Sequence, residues 1–406
     1  MLVLALAPAG ARADVFKPTR HDDPKPGKCK PNDCSFREAL IAANSTLSKH
    51  DKVILGKGTY KLQIPPGGTP FQSGEFSVFT PVTIRGQGAG VTRIDGNGVD
   101  RVIAIGSGIS AVGAVSLRDL TVTGGDAGAT GVPHDSEGGG IFAAGETGSK
   151  LALTNVVVRG NVAQFGGGIF AYREKVTVKN STLAGNTASE GGGIHVVAAP
   201  TETDVAIHAS TISGNAAGKG GGILADGSTF WGTTVPKVDL LNSTVAGNHT
   251  SAEAGGIMAD NGAIVGLDNS TVADNMADDD NSGGGAGGGI EQHSGAVFNI
   301  DDSIVDGNTV GTSGSGTQCD GTFSGTGNVT TAGGGCDTLT PGPNLTVGDA
   351  EILPLDNYGG PTKTVKLKAS SAALGFANDC PKRDQRGELR PVSGCDSGSF
   401  ERNPLH

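Results

Sequence analysis

Between residues 141 and 308 the chain keeps returning to the same two phrases. Gly-Gly-Ile recurs with its isoleucine at 141, 169, 194, 223, 257 and 290, in steps of 28, 25, 29, 34 and 33 residues. In phase with it run "NVVVRGN" from Asn155, "NSTLAGN" from Asn180, "ASTISGN" from Ala209, "NSTVAGN" from Asn242, "NSTVADN" from Asn269 and "DSIVDGN" from Asp302. A period of this size means a solenoid or an array of small units. The units are rich in Val, Ile and Thr and carry no leucine-rich frame, so helical and leucine-rich repeats are excluded.

One cycle, "GGGIFAYREKVTVKNSTLAGNTASEGGGI" from Gly166 to Ile194, reads as three short strands separated by bends. The alternation in "KVTVKN" turns Val176 and Val178 inward and Thr177 and Lys179 outward. A single coil of this kind cannot bury its own apolar face, so coils must stack. The expected fold is all-β: a single-stranded, right-handed parallel β-helix. Glycine supports it, with 69 residues in 406, about a sixth of the chain, and no Gly-X-Y period. The asparagine opening each "NST" suits a bend, and its amide is expected to bond the same residue of the next coil.

A formal charge of −11 excludes nucleic acid as a partner. No run of about 18 apolar residues is available to span a membrane after the N-terminus. Residues 1–13, with an apolar stretch and Ala11-Arg12-Ala13, read as a secretory leader. The cysteines fall into three sequence-local pairs, Cys29 with Cys34, Cys319 with Cys336 and Cys380 with Cys395. Of the 15 connectivities that six cysteines allow, proximity favours this one. Domain bounds follow: an N-terminal cap over 14–50, β-helix repeats over 51–316, and last coils with a disulfide-tied C-terminal cap over 317–406. Thr182, Thr211, Thr244 and Thr271 fall on adjacent coils as a further column.

Two segments carry a family resemblance. "CSFREALIAAN" (Cys34 to Asn44) looks like the CSLREA motif that opens a class of bacterial exported β-helix proteins. "LDNYGGPTKTVKL", "DQRGELRP" and "CDSGSFE" resemble the choice-of-anchor Q domain. The Gly-Gly-Ile repeats resemble, more distantly, those of chlamydial polymorphic membrane proteins. What the resemblance implies is an exported, pectate-lyase-like β-helix protein at or outside the cell surface, without assigned chemistry. No sorting signal follows the last motif, which points to release. In "SFREALIAAN" the apolar side, Phe36, Leu40 and Ile41, suits a short helix laid across the first coil, with Arg37 and Glu38 as cap salt bridges.

Function on such a fold lives in outward columns. One column, three residues after each isoleucine, holds Tyr172, Asp226, Asp260 and His293. An insertion after Asp226 carries Trp231. Paired acids, a histidine and a loop aromatic are what a glycan site needs. The second column, before each asparagine bend, holds Lys179, His208, Leu241, Asp268 and Asp301, with Asp239 beside it. Here Asp239, Asp268 and Asp301 could hold Ca²⁺ and Lys179 or His208 could act as a base. The loop at 278–284 sets Asp278 and Asp280 at calcium-loop spacing, without a carboxylate at the twelfth place. Beyond Ca²⁺, no cofactor is expected. The sequence reading is an extracellular, monomeric interaction or structural protein that meets a surface protein or polysaccharide. Its rival is a polysaccharide lyase or glycoside hydrolase.

Overall fold

A computed structural model describes residues 13–45, 49–67, 71–106, 113–128, 136–230, 232–312, 317–336 and 339–403. The leader segment and Trp231 lie outside them. The described chain winds as a right-handed parallel β-helix, the hand expected of parallel crossovers. Its first sheet stacks nine strands, from Phe76–Val78 through Ile141–Ala144, Ile169–Tyr172, Ile194–Val197, Ile223–Asp226, Ile257–Asp260 and Ile290–Gln292 to Cys319–Asp320. The repeat isoleucines pair coil to coil in one unbroken register. A second sheet stacks the alternating strands, among them Lys175–Lys179, Asp204–His208, Lys237–Leu241, Ile264–Asp268 and Val297–Asp301. The third, continuous with the second through the strand Lys150–Arg159, holds Thr182–Ala184, Thr211–Ser213, Thr244–Ala246, Thr271–Ala273 and Ile304–Asp306. Inside, one apolar core runs from Cys34 and Phe36 to Leu339.

The glycine triplets are there because backbone passes close by. A Cβ on Gly166, at φ +66°, would lie 2.3 Å from the Ile169 carbonyl oxygen, and one on Gly168 would lie 2.4 Å from that of Gly193. The asparagines opening the "NST" phrases take left-handed backbone, with φ of 49° at Asn180, 47° at Asn242 and 45° at Asn269. They do not form the expected ladder. That role belongs to the asparagine closing each phrase: the amides of Asn161, Asn186, Asn215, Asn248 and Asn275 each donate to the next coil's Asn Oδ1, at 2.8–2.9 Å. Each second amide hydrogen goes to a backbone carbonyl, as in Asn248 to Ile212, which leaves these buried amides satisfied.

The N-terminal end is closed by built structure. The helix Phe36–Asn44 buries Phe36, Ala39, Leu40 and Ala43, while Arg37 is buried in a two-pronged ion pair with Asp23, both bonds 2.8 Å. Among the described residues Glu38 forms no salt bridge; it accepts from the Ser35 and Gly27 amides as the acid of a capping box. Three disulfides join Cys29 to Cys34, Cys319 to Cys336 and Cys380 to Cys395. The C-terminal segment bearing the last of them folds back along the flank of the solenoid. Thr211 donates to Lys363 O, Thr244 to Gln385, and Ser399 donates to Thr271. Thr211, Thr244 and Thr271 are therefore buried beneath the protein's own chain, while Thr182 stays partly exposed, and the column presents no flat face to solvent. Asp384 and Arg386 (2.7 Å), and Arg390 and Glu401 (3.2 Å), brace this segment.

Candidate functional site

Strand register on the second sheet places Lys179 beside His208, His208 beside Leu241, Leu241 beside Asp268, and Asp268 beside Asp301. At roughly 4.8 Å per coil this column spans about 19 Å. The backfolded C-terminal segment supplies its facing wall. Asn242 and Asn269, from the bends at the column's edge, donate to the carbonyls of Arg383 and Asp379 and fix that wall in place. Two adjoining hollows result, which share His208 and Leu241 and form one groove. The acidic one, about 480 Å³, is lined by Asp239, Asp268, Asp301, Asp302 and Asp379. The basic one, about 340 Å³, is lined by Lys179, Arg383 and Arg386 together with Asp384.

The groove changes the acidity of what lines it. Partial burial, then Lys179, pushes His208 below the usual imidazole value, against the opposing pull of Asp239. It is therefore neutral and proton-accepting near pH 7. Asp268 lines the acidic hollow and stays exposed at its rim. Desolvation there, then Asp302, Asp379 and Asp301, raises it above the ordinary carboxylate range even though Asn269 donates to it at 2.9 Å. Asp302 is raised by burial and by Asp301 and Asp379, although the Asn378 and Asp379 amides hold its carboxylate. Asp239 leans over Gly266 and pairs with Lys237 at 2.8 Å, and Asp301 accepts from the Thr326 amide at 2.9 Å.

The first-sheet column is assembled as well. Asp226 and Asp260 pair in register, and the His293 amide donates to Ala259 O on the same face. Asp226 accepts from the Ser228 amide at 2.8 Å and from Asn261 at 3.0 Å, and Asp260 accepts from the Asn261 amide. Tyr172 lies further along, with the Arg173 guanidinium 4.9 Å from its ring centre. Beside His293 stand two carboxylates that sequence reading passed over. Glu291 lies 2.7 Å from His293 Nε2, and burial pushes its carboxyl up to about 7 despite that histidine. Glu253 arrives from a fourth sheet, which stacks Ala216–Lys219, His249–Glu253, Met276–Ala277 and Thr309–Val310.

That fourth sheet covers the outward side of the first. Phe170, His195, Leu224, Met258 and Glu291 share one outward column and are all buried. Five apolar or aromatic residues in a row at an outward position (Phe142 begins the run) were the signal available in the sequence. In the acidic loop the carboxylates serve as turn braces: Asp278 accepts from the Gly283 amide and Asp280 from the Ser282 amide. They are not brought together with Asp239, which lies on the second sheet.

No protein-family model and no curated protein matches the chain. Solved structures to which it is similar include the pectate lyase Pel9A, at 12% identity and TM-score 0.45 over 97% of each chain. Another is the A-module of the mannuronan C-5 epimerase AlgE6 from Azotobacter vinelandii. That match stands at 17% identity and TM-score 0.30, covering 77% of this chain and 94% of the other.

Proposed function

We propose that this protein is carbohydrate-active and cleaves an acidic extracellular polysaccharide by β-elimination, with the polymer laid along the flank groove. The observation that carries this reading is His208: half-buried, held neutral, and centred between a basic and an acidic stretch of one groove. Lys179, its register neighbour, would pair with a uronate carboxylate and make the adjacent C5 proton more acidic. His208 takes that proton, the electron pair forms the C4–C5 double bond, and the bond from C4 to the glycosidic oxygen breaks, that oxygen leaving with the bonding pair and taking a proton from water. Among the described residues the groove carboxylates do not converge into a three-ligand metal set. A Ca²⁺ ion at Asp268 and Asp301 would draw further ligands from the polymer itself. Three disulfides fit an oxidising, extracellular setting, as do the segments resembling CSLREA and choice-of-anchor Q proteins.

The test is a screen of purified protein against acidic and neutral polysaccharides, with and without Ca²⁺, recording unsaturated-product absorbance and new reducing ends. Cleavage of an acidic polymer that falls about a hundredfold in His208→Ala is the expected result. Cleavage that survives in His208→Ala but disappears in Asp260→Ala would move the site to the first-sheet column. Silence across the panel from a cooperatively melting sample would overturn the enzyme reading in favour of an interaction protein.

A further inference from the structure

Among the described residues, the densest gathering of possible metal donors lies away from the groove. The ligand atoms of Glu253, Glu291 and His293 all lie within 4.8 Å of one another. Glu291 and His293 are two positions apart at the end of one first-sheet strand, so both project outward. Glu253 reaches them from the fourth sheet folded above. Residue Glu291 is 1% exposed; its carboxylate faces the His293 ring nitrogen at 2.7 Å, and among the described residues neither oxygen has a hydrogen bond of good geometry. A carboxylate sealed in this way is costly unless something compensates it. His293, one-third exposed, keeps the cluster in contact with solvent.

We infer that Glu253, Glu291 and His293 form a binding site for a late first-row divalent cation of the Zn²⁺ type. One imidazole nitrogen and two carboxylates suit zinc-like ions, whereas Ca²⁺ takes six to eight oxygens. Zinc bonds of about 2.0–2.2 Å put ligand atoms on one ion about 3–4 Å apart, a small side-chain adjustment from the present spread. The 2.7 Å contact between His293 and Glu291 would open to admit the ion. One cation already competes for the place: Lys219 Nζ stands 2.8 Å from Glu253. Nearly half exposed, it can swing into solvent when a metal ion displaces it. The site stands independently of the groove, and its test reads binding alone.

Full-length protein stripped with chelator would be titrated with Zn²⁺ by calorimetry, with Co²⁺ substituted in parallel for its tetrahedral absorption bands. The expected result is one saturable equivalent and a melting temperature that rises with Zn²⁺. Glu291→Gln and His293→Asn should each weaken binding at least tenfold. Lys219→Gln should tighten it several-fold, an effect a purely structural ion-pair network would not produce. His208→Ala should leave the titration unchanged. No saturable equivalent, or affinity unaltered in the folded His293→Asn variant, would overturn the site; because His293 is partly exposed, that variant decides even if Glu291→Gln fails to fold.

Discussion

The two outward columns of this solenoid start from the same geometry and end in opposite environments. On the second sheet, Lys179, His208, Leu241, Asp268 and Asp301 face a groove open to solvent. Over the first sheet, Phe170, His195, Leu224, Met258 and Glu291 also point away from the axis, yet a further layer buries them. Leu224, Ala254 and Met258 even form a small apolar core of their own outside the coil. Pleat decides only which side a residue leaves the strand. What lies beyond is decided by the connections, here the segment after each third strand and the returning C-terminal chain.

One substitution applied to both faces tests this difference and gives the largest expected effect on stability. Leu224→Asp places a charge in a dry site lined by Met258 and Ala254, and should cost about 4 kcal/mol. Leu241→Asp, at a comparable outward position in the open groove, should change stability by no more than about 0.5 kcal/mol. Urea midpoints of the two variants measure the contrast. Equal losses would mean that the first face is not covered as described.

A second, smaller difference is electrostatic. His195, in the covered column, is fully buried; among the described residues neither ring nitrogen has a hydrogen-bond partner, and Phe165 and Phe170 pack against it at 5.8 and 5.6 Å. Burial pushes its pKa down to about 4 from 6.5, outweighing the pull of Asp226. Below pH 6.5 the unfolded chain binds a proton that the folded one refuses, so this contribution to stability is lost as pH falls toward 4. A shift of that size corresponds to about 3 kcal/mol. Subtracting the stability profile of His195→Phe from that of the parent should isolate an acid-side loss of this order. A flat difference between pH 7 and 4 would show that the ring is hydrated. His208, open to the groove, should show a much smaller linkage.

How far each face could be read from the sequence follows the same division. Coil-to-coil relations repeat, and the isoleucine phrase carried the first-sheet register through Ile290 without a slip. The columns of Asp226, Asp260 and His293, and of Lys179 through Asp301, were legible for that reason. Cysteine pairs were legible because they are local. The groove wall was not. Asn242 meets Arg383 across 141 residues and Asn269 meets Asp379 across 110, and no period links such partners. Glu291 was passed over because the sequence does not show the layer that buries it, and Glu253 because its strand belongs to the fourth sheet, outside the three expected per coil. The ladder was assigned to the wrong asparagine because both phrase ends carry one: Asn180 tolerates the bend, while Asn186 points inward and fills the corner.

The smallest expected effect lies at that bend, where the repeat departs from itself. Asn180, Asn242 and Asn269 occupy the left-handed position on their coils, but on the coil of His208 it falls to Ala209, at φ 48°. An alanine there crowds its Cβ against the next carbonyl without the local hydrogen bonding that lets asparagine accept the conformation. Ala209→Asn should therefore stabilise the protein by about 1 kcal/mol, seen as a raised melting temperature. The backbone bonds at this position, from its amide to Leu241 O and to its carbonyl from Thr362, do not involve the side chain and should persist. The same variant also probes the open face, since Ala209 adjoins His208 at the junction of the basic and acidic hollows. A stabilised variant with unchanged polysaccharide cleavage would show that the bend sets only the backbone. Stabilisation with lost cleavage would instead place the asparagine amide in the path of the polymer, locating substrate at the mouth of the basic hollow.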